Sequence, residues 1–257
     1  DWGATSPSRT TRKEYELRHV PAHGNADNVA FLPLDDARLS RSLDELVERR
    51  VKFLTEYQDG AYAKRYSDFV AKVHAAERNV AGTTDLTEAV ARYAFKLMAY
   101  KDEYEVARLY TSGDFVRKLE QQFDGDYKLK FHLAPPLFAK KDAQGRLIKQ
   151  EFGPWMFTAF KWMAKLRFLR GGTFDIFGKT EERKMERQLI EDYFTTVGGL
   201  LDKLDRANVG LAAEIASIPE HIRGYGHVKE DHLHKAKARE AELLKEWSNP
   251  LRIVKVA

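Results

Sequence analysis

The sequence predicts a mainly α-helical protein with one small β element, and three observations lead to this expectation. Apolar side chains recur every three or four residues through most of the chain after residue 42. Charged residues make up 32% of the 257 residues, above the usual ~25%, as in amphipathic helices with solvated faces. The period changes to two only near residues 127–133. We therefore expect a multi-helix, bundle-like domain with a small β-hairpin insertion near residues 124–152.

The composition excludes several kinds of site. The chain contains no cysteine, so its own residues cannot form a disulfide, a thiolate zinc site or an iron–sulfur cluster. The 43 basic and 39 acidic residues give a net charge of +4, and both signs are mixed along most helical segments, as on a solvated surface. No run of apolar residues is long enough to predict a membrane span.

The first 39 residues lack sustained periodicity. Proline and glycine punctuate them, so we expect a mostly irregular arm or interdomain strap over 1–39 and a helical domain over 40–257. The chain starts at Asp1, with neither an initiator Met nor an apolar h-region. We therefore expect that no signal peptide is present and that the location is cytoplasmic. The missing Met suggests a processed chain or a piece of a longer polypeptide.

Helices are predicted in order from residue 42. Ser42 and Glu45 have the spacing of a capping box, and the helix that follows is expected to end or kink at Gly60. The apolar stripe resumes and ends near Gly82. A third helix begins at Asp85 and is expected to continue without a break through Tyr104 toward residue 109. Further helices are predicted over roughly 114–123, 180–204, 211–218 and 230–247.

The segment Trp155–Leu169 is apolar on nearly every side. Helices of this kind are usually buried, and Pro154 occupies the first turn, where proline is tolerated. We therefore predict that this is the central core helix. The side chains that we expect in the main core are Trp155, Phe160, Met163 and Leu166.

The segment Tyr127–Leu133 is the clearest strand prediction, because apolar and polar residues alternate along it. Pro135 and Pro136 end it, since proline donates no ladder hydrogen bond. Lys128, Lys130 and His132 share its polar face, which could bind phosphate. The alternative is an ordinary solvated strand face.

The loop Arg223–Lys229 is the second candidate binding segment. Two glycines and several basic side chains precede a helix, where free N–H groups and positive charge favour anions. The candidate residues for an anion or a partner are Arg223, Tyr225, His227 and Lys229. The alternative is a tight helix connection in which carboxylates of a neighbouring helix pair with these cations.

No segment carries a recognisable catalytic motif. The ionisable cluster Tyr100–Glu105 could do acid–base work, although surface ion pairs or a buried network are the alternative. His227, His232 and His234 do not share one helix face at metal-ligand spacing. We therefore assign no catalytic residue and no metal ligand.

Five segments, read together, resemble a known family. They are SLDELVERRVKFLTEYQ (42–58), AFKLMAYKDEYEVARLYT (94–111), GDYKLKFHLAPP (125–136), FGPWM (152–156) and IRGYGHVK (222–229). In this order they are similar to the C-terminal domain of the fused indolepyruvate ferredoxin oxidoreductases, which belong to the thiamine-dependent 2-oxoacid:ferredoxin oxidoreductases. The resemblance covers about residues 40–230.

The resemblance implies a parent enzyme that oxidatively decarboxylates aryl-2-oxoacids to acyl-coenzyme A and passes electrons to ferredoxin. Thiamine diphosphate, Mg²⁺, iron–sulfur clusters and coenzyme A would be held by its other domains. We therefore expect an accessory domain with no cofactor of its own. Its role would be structural or in assembly with the catalytic domains, with a possible share in the coenzyme A or substrate channel. The residues alone leave open a freestanding basic helical module that binds nucleic acid.

Overall fold

The computed structural model describes the backbone of residues 13–17 together with residues 40, 42–122, 127–133, 148, 150–224 and 227–249. Over these ranges the chain is mainly α-helical with a small sheet, which confirms the predicted fold class. The α-helices are Leu43–Tyr57 (α1), Gly60–Val80 (α2), Asp85–Met98 (α3), Glu103–Thr111 (α4), Gly113–Gln122 (α5), Trp155–Lys165 (α6), Glu181–Leu200 (α7), Val209–Ser217 (α8) and His227–Ser248 (α9). Short 3₁₀ turns cover Leu166–Leu169, Leu201–Lys203 and Ile218–His221.

Three strands form the described sheet: Lys13–Leu17 (β1), Tyr127–Leu133 (β2) and Gln150–Phe152 (β3). The central strand β2 matches the predicted strand, and β3, which lies within the predicted β insertion, pairs with it antiparallel. The parallel partner β1 lies in the arm that we expected to be mostly irregular. β1 pairs with a strand that is more than 100 residues away in sequence, and its five residues are too few for a local pattern to predict a strand.

The chain divides into two compact units. The insertion unit comprises residues 1–25 and 101–177, and the helical unit comprises residues 26–100 and 178–257. The helical unit is therefore interrupted in sequence by most of the insertion unit. No boundary near residues 100 or 177 is predicted from the sequence, because helical periodicity continues on both sides of residue 100.

The core of the helical unit centres on α3, which packs against α1, α2, α7 and α8. Eight of the fourteen residues of α3 are buried, because the helix has neighbours in several directions. The largest fully buried side chains of this core are Tyr57, Tyr66, Leu54, Leu86, Met98, Ile215, Leu243, Val73, Val90 and Val197. The central helix of the larger core is thus α3.

The prediction that α6 is the central core helix is wrong. Phe160 is 3% exposed and Met163 is partly buried in the smaller core of the insertion unit. Trp155 and Leu166, however, are 61% and 41% exposed. Within the insertion unit α6 packs against α4 on one side, so its apolar character on the other side does not lead to burial.

The predicted third helix is also corrected, because it is two helices. α3 ends at Met98 and α4 begins at Glu103. Asp102 caps α4 by accepting a hydrogen bond from the Glu105 N–H at 2.8 Å. The Tyr57 hydroxyl donates to the carbonyl of Tyr100 at 2.7 Å, which stabilises the non-helical connection.

Two predictions at the start of the helical region are confirmed. Ser42 accepts from the Glu45 N–H at 3.2 Å and caps α1, and the expected break at Gly60 is present. The structure adds that Asp59 caps α2 immediately before Gly60. Thr180 caps α7. α9 begins at His227, three residues before the predicted start. None of the helices in the described ranges is long and apolar enough to cross a membrane.

Candidate functional site

The predicted loop site contributes Arg223 to a polar cluster around Glu220. The Glu220 carbonyl accepts hydrogen bonds from Arg223 Nε and from Lys96 Nζ, each at 3.0 Å. Its carboxylate accepts from the Tyr93 hydroxyl at 2.9 Å and lies 3.5 Å from Arg223. We call Lys96, Arg223, Glu220 and Tyr93 the Glu220 cluster.

The local sequence explains how this cluster is positioned. Pro219 lies at the start of the 3₁₀ turn that presents the Glu220 carbonyl. Gly224 has a φ of 89°, and a Cβ there would lie 2.9 Å from Val228 Cγ1, so glycine is required for the chain to enter α9. The Arg223 carbonyl is contacted by His232 Nδ1 at 2.9 Å, which fixes the backbone of Arg223 against α9.

Lys229 pairs with Glu186 of α7, and both side chains are largely buried. A carboxylate of a neighbouring helix therefore supplies the counter-charge for this loop cation. Tyr225 lies outside the described residues, and of His227 only the backbone, at the start of α9, is described.

Lys96, Tyr93 and Glu220 are the members of the Glu220 cluster that were not predicted from the sequence. Burial, together with the nearby charges of Arg223 and Lys229, lowers the pKa of Lys96 to about 8, although Glu220 acts in the opposite direction. Tyr93 changes in the other sense: burial and its hydrogen bond to Glu220 raise its pKa to about 12. Only tertiary packing brings α3 to residue 220, so no local pattern could have indicated Lys96.

The predicted strand face belongs to the insertion unit. Lys130 is partly exposed and lies 3.3 Å from Glu151 on β3, and the backbone register places His132 opposite Glu151. The side chain of Lys128 is outside the described part of the chain. Lys130 and His132 thus share a sheet with a carboxylate.

The ionisable cluster at 100–105 forms a buried network with structural partners. Asp102 is 4% exposed, and its Oδ1 accepts from Arg170 Nη2 at 2.8 Å. Glu105 accepts from Arg108 at 2.8 Å through both carboxylate oxygens. These pairs account for both carboxylates, and the network joins α4 to the segment after α6.

A second set of candidate residues, which was not predicted from the sequence, lies in the insertion unit. Large apolar side chains along residues 155–176 are exposed, and we call them the exposed apolar face. They are Trp155, Trp162, Leu166, Phe168, Phe174 and Ile176, between 41% and 78% exposed.

Helix geometry groups part of this surface. Trp155 and Trp162 are seven residues apart, which is two turns, so they lie on one side of α6. Met156 and Phe160 lie on the buried side. Lys165 Nζ lies 5.3 Å from the Trp162 ring centroid, so positive charge borders the apolar surface.

The turn that carries Phe174 and Ile176 is held from beneath by Asp175, which is 3% exposed. Its carboxylate accepts from the Gly171 N–H at 2.7 Å and from the Tyr104 hydroxyl at 3.2 Å. Gly171 has a φ of 74°, a conformation that favours glycine. The exposure of the two apolar neighbours therefore follows from a specific backbone arrangement.

Within the described ranges no group of three or more His, Cys, Asp or Glu side chains could hold a metal ion. Neither the search of curated proteins nor the search of solved structures gave a match. A family model described as a family of unknown function, DUF6537, matches residues 43–242. The match includes the helices from α1 to α8, both sides of the Glu220 cluster and the exposed apolar face. The chain belongs to the DUF6537 family.

Proposed function

We propose that the chain is a structural or assembly domain of an indolepyruvate ferredoxin oxidoreductase and that it docks on the catalytic domains through the exposed apolar face. The proposed docking surface is supported by the exposed large apolar side chains over residues 155–176. The partner, the catalytic domains, is inferred from the resemblance of this sequence to the C-terminal domain of these oxidoreductases. A contribution to the coenzyme A or substrate channel of the parent enzyme is included as an implication of the same resemblance.

The composition of the exposed apolar face supports a protein partner. Proteins that act alone rarely expose large contiguous apolar patches, and aromatic residues are enriched at the centres of protein interfaces. Trp162 and Phe174 are 65% and 78% exposed, which leaves most of each ring for contact. Lys161 and Lys165, also exposed, favour a partner surface that is apolar at its centre and acidic at its edge.

The fixed backbone beneath this face is a second argument for docking. Asp175 holds the turn between Gly171 and Ile176 through two hydrogen bonds. Arg170, directly before Gly171, donates a hydrogen bond to Asp102. Apolar side chains on an ordered turn lose less conformational entropy on binding than those on a mobile loop. Such a turn is suited to forming an interface.

Co-expression tests the proposal. The chain and the remainder of the candidate parent polypeptide are produced as two tagged pieces, and their association is measured by affinity capture and size-exclusion chromatography. We expect a stable complex with the wild-type chain. Trp162→Glu and Phe174→Glu should weaken it at least tenfold, because each buries a charge in the interface. Lys72→Glu, at an exposed position of α2, is the matched control and should bind as wild type.

Absence of a complex, or equal binding by all variants, would contradict the docking role. The isolated chain should not reduce ferredoxin or a dye in the presence of indolepyruvate, thiamine diphosphate and coenzyme A. Turnover above the blank would show that this chain is catalytic, contrary to an accessory role.

Nucleic-acid binding stays the alternative function and has its own measurement. A module of that kind should bind a labelled oligonucleotide with an affinity that falls steeply as salt increases. Lys130→Ala should weaken that binding if the strand face takes part. The pairing of Lys130 with Glu151 at 3.3 Å reduces the positive charge this face offers, and for that reason we favour the assembly role.

A further inference from the structure

Two cationic side chains from different elements meet at one backbone atom in the helical unit. Lys96 from α3 and Arg223 from the segment before α9 each lie 3.0 Å from the carbonyl oxygen of Glu220. Two like charges are thereby held side by side. This arrangement is unfavourable unless negative charge is close by.

The protein supplies only part of that negative charge. The Glu220 carboxylate is shared between the Tyr93 hydroxyl and Arg223. Lys229, whose positive charge also acts on Lys96, is paired with Glu186. Among the described residues, no carboxylate forms an ion pair with Lys96, whose hydrogen-bond partner is a neutral carbonyl. The cluster therefore carries an excess of positive charge.

The two cations are also accessible and still have donors to offer. The Arg223 side chain is 44% exposed, and Lys96 is half-buried. A lysine ammonium has three N–H donors and a guanidinium has five, so the contacts to Glu220 leave several unused. An ammonium and a planar guanidinium side by side can together bind the oxygens of a tetrahedral oxyanion.

From this geometry we infer that Lys96 and Arg223 form a binding site for a phosphate group, with the Glu220 turn as its base. The inference goes beyond the assembly role and uses no residue of the exposed apolar face, so either can fail without the other. The phosphate could belong to a free phosphomonoester or to a nucleic-acid backbone. The chemistry of the contact is the same in both.

The first experiment measures the melting temperature of the full chain in inorganic phosphate and in sodium chloride of equal ionic strength. A ligand that binds only the folded chain raises the melting temperature, by roughly 3 °C at a concentration about tenfold above its Kd. Lys96→Met and Arg223→Ala should lose most of this rise. Lys72→Met removes one lysine charge from α2 and should retain it.

A second measurement keeps the test independent of variant stability. An amine-selective acylating reagent is applied to the wild-type chain, and modification is read by peptide mass spectrometry. Phosphate should slow modification of Lys96 and leave that of Lys72 unchanged. No phosphate-specific rise in melting temperature, or a rise that Lys96→Met retains together with unprotected Lys96, would overturn the inference.

The two sources are separated by comparing ribose 5-phosphate with a short oligonucleotide at equal phosphate concentration. A free phosphomonoester site should respond to ribose 5-phosphate at least as strongly as to the oligonucleotide. A response to the oligonucleotide alone, reduced by Arg223→Ala and by salt, would assign the site to a nucleic-acid backbone. A response to neither, with inorganic phosphate also inactive, would exclude the site.

Discussion

Glu77 is a fully buried carboxylate near the end of α2, and its contacts explain why it is there. It accepts from the backbone N–H groups of Leu86 at 3.1 Å and Thr87 at 2.9 Å, and from the Thr87 hydroxyl at 2.6 Å. The N–H groups in the first turn of α3 have no acceptor within the helix itself, and Thr84, at the N-cap, makes no side-chain capping hydrogen bond. Glu77 therefore caps α3 from a neighbouring helix.

Glu77→Ala should destabilise the helical unit by about 2–4 kcal/mol, because it leaves buried N–H donors of Leu86 and Thr87 without their acceptor. Urea unfolding followed by circular dichroism measures this loss in the free energy of unfolding. Glu246→Ala, at an exposed position of α9, is the control and should change stability by less than about 0.5 kcal/mol. Equal effects of the two substitutions would contradict the capping role.

Lys96 should make stability depend on pH above neutrality. Burial and nearby positive charge lower its pKa to about 8 in the folded chain, whereas the unfolded chain keeps the ordinary value of 10.5. Between these values unfolding takes up a proton, so the Lys96 contribution to stability rises as pH rises through this window. Above about pH 10 the tyrosines act oppositely, because the pKa of Tyr66 and of Tyr93 is raised to about 12.

We therefore expect the melting temperature of the wild-type chain, relative to that of Lys96→Met, to increase between pH 7.5 and pH 9.5. Lys72→Met should follow the wild-type curve across the same range. Thermal denaturation at closely spaced pH values makes the comparison. Parallel curves for wild type and Lys96→Met would show that the lysine titrates normally in the fold.

At the scale of single elements, α6 has two sides with different roles. Phe160 lies on the buried side, where its ring centroid is 5.3 Å from that of Tyr110 and 5.4 Å from that of Phe131. Trp162, two residues later, is 65% exposed. The same short helix thus offers an internal comparison between a packing role and a surface role.

Phe160→Ala should cost about 3–5 kcal/mol, because it removes a buried ring from a small aromatic core. Trp162→Ala should cost less than about 1 kcal/mol, because its ring is mostly in solvent. Chemical denaturation of the two variants measures both values. A larger loss for Trp162→Ala than for Phe160→Ala would place the core on the other side of α6.

An element could be predicted where a local sequence pattern determines it, and could not be predicted where it depends on contacts between residues distant in sequence. Amphipathic spacing predicts α1 and α2, the capping box at Ser42 predicts the start of α1, and strict alternation predicts β2. The burial of α6 could not be inferred, because apolar residues on all sides suit both a core and a docking surface. The pairing of β1, the cap from Glu77 and the position of Lys96 beside Arg223 depend on residues that are distant in sequence.

At the scale of the whole molecule, the two units differ in the depth of their cores. The core of the helical unit includes many fully buried side chains around α3, whereas the described core of the insertion unit is small and centres on Phe131 and Phe160. Regions with less buried apolar packing open more readily.

Backbone amides of α6 should therefore exchange with solvent deuterium faster than those of α3. Mass spectrometry of peptides covering residues 155–165 and 85–98 makes the comparison. Phe160→Ala should accelerate exchange in residues 103–111 more than in residues 85–98. The reverse order would mean that the insertion unit is the more stable one.

The interruption of the helical unit has a consequence for how the chain assembles. The packing of α3 against α7 and α8 closes a loop that contains residues 101–177. The entropic cost of closing an unstructured loop grows with its length, by about 0.6 kcal/mol for each doubling. Near the two ends of the inserted segment, Tyr104 and Phe177 have ring centroids 5.3 Å apart, so a folded insertion unit brings these ends together and shortens the effective loop. Folding of residues 101–177 thereby acts as a reversible cross-link on the helical unit, and Phe160→Ala should slow the docking of α7 and α8 onto α3 although Phe160 belongs to the insertion unit.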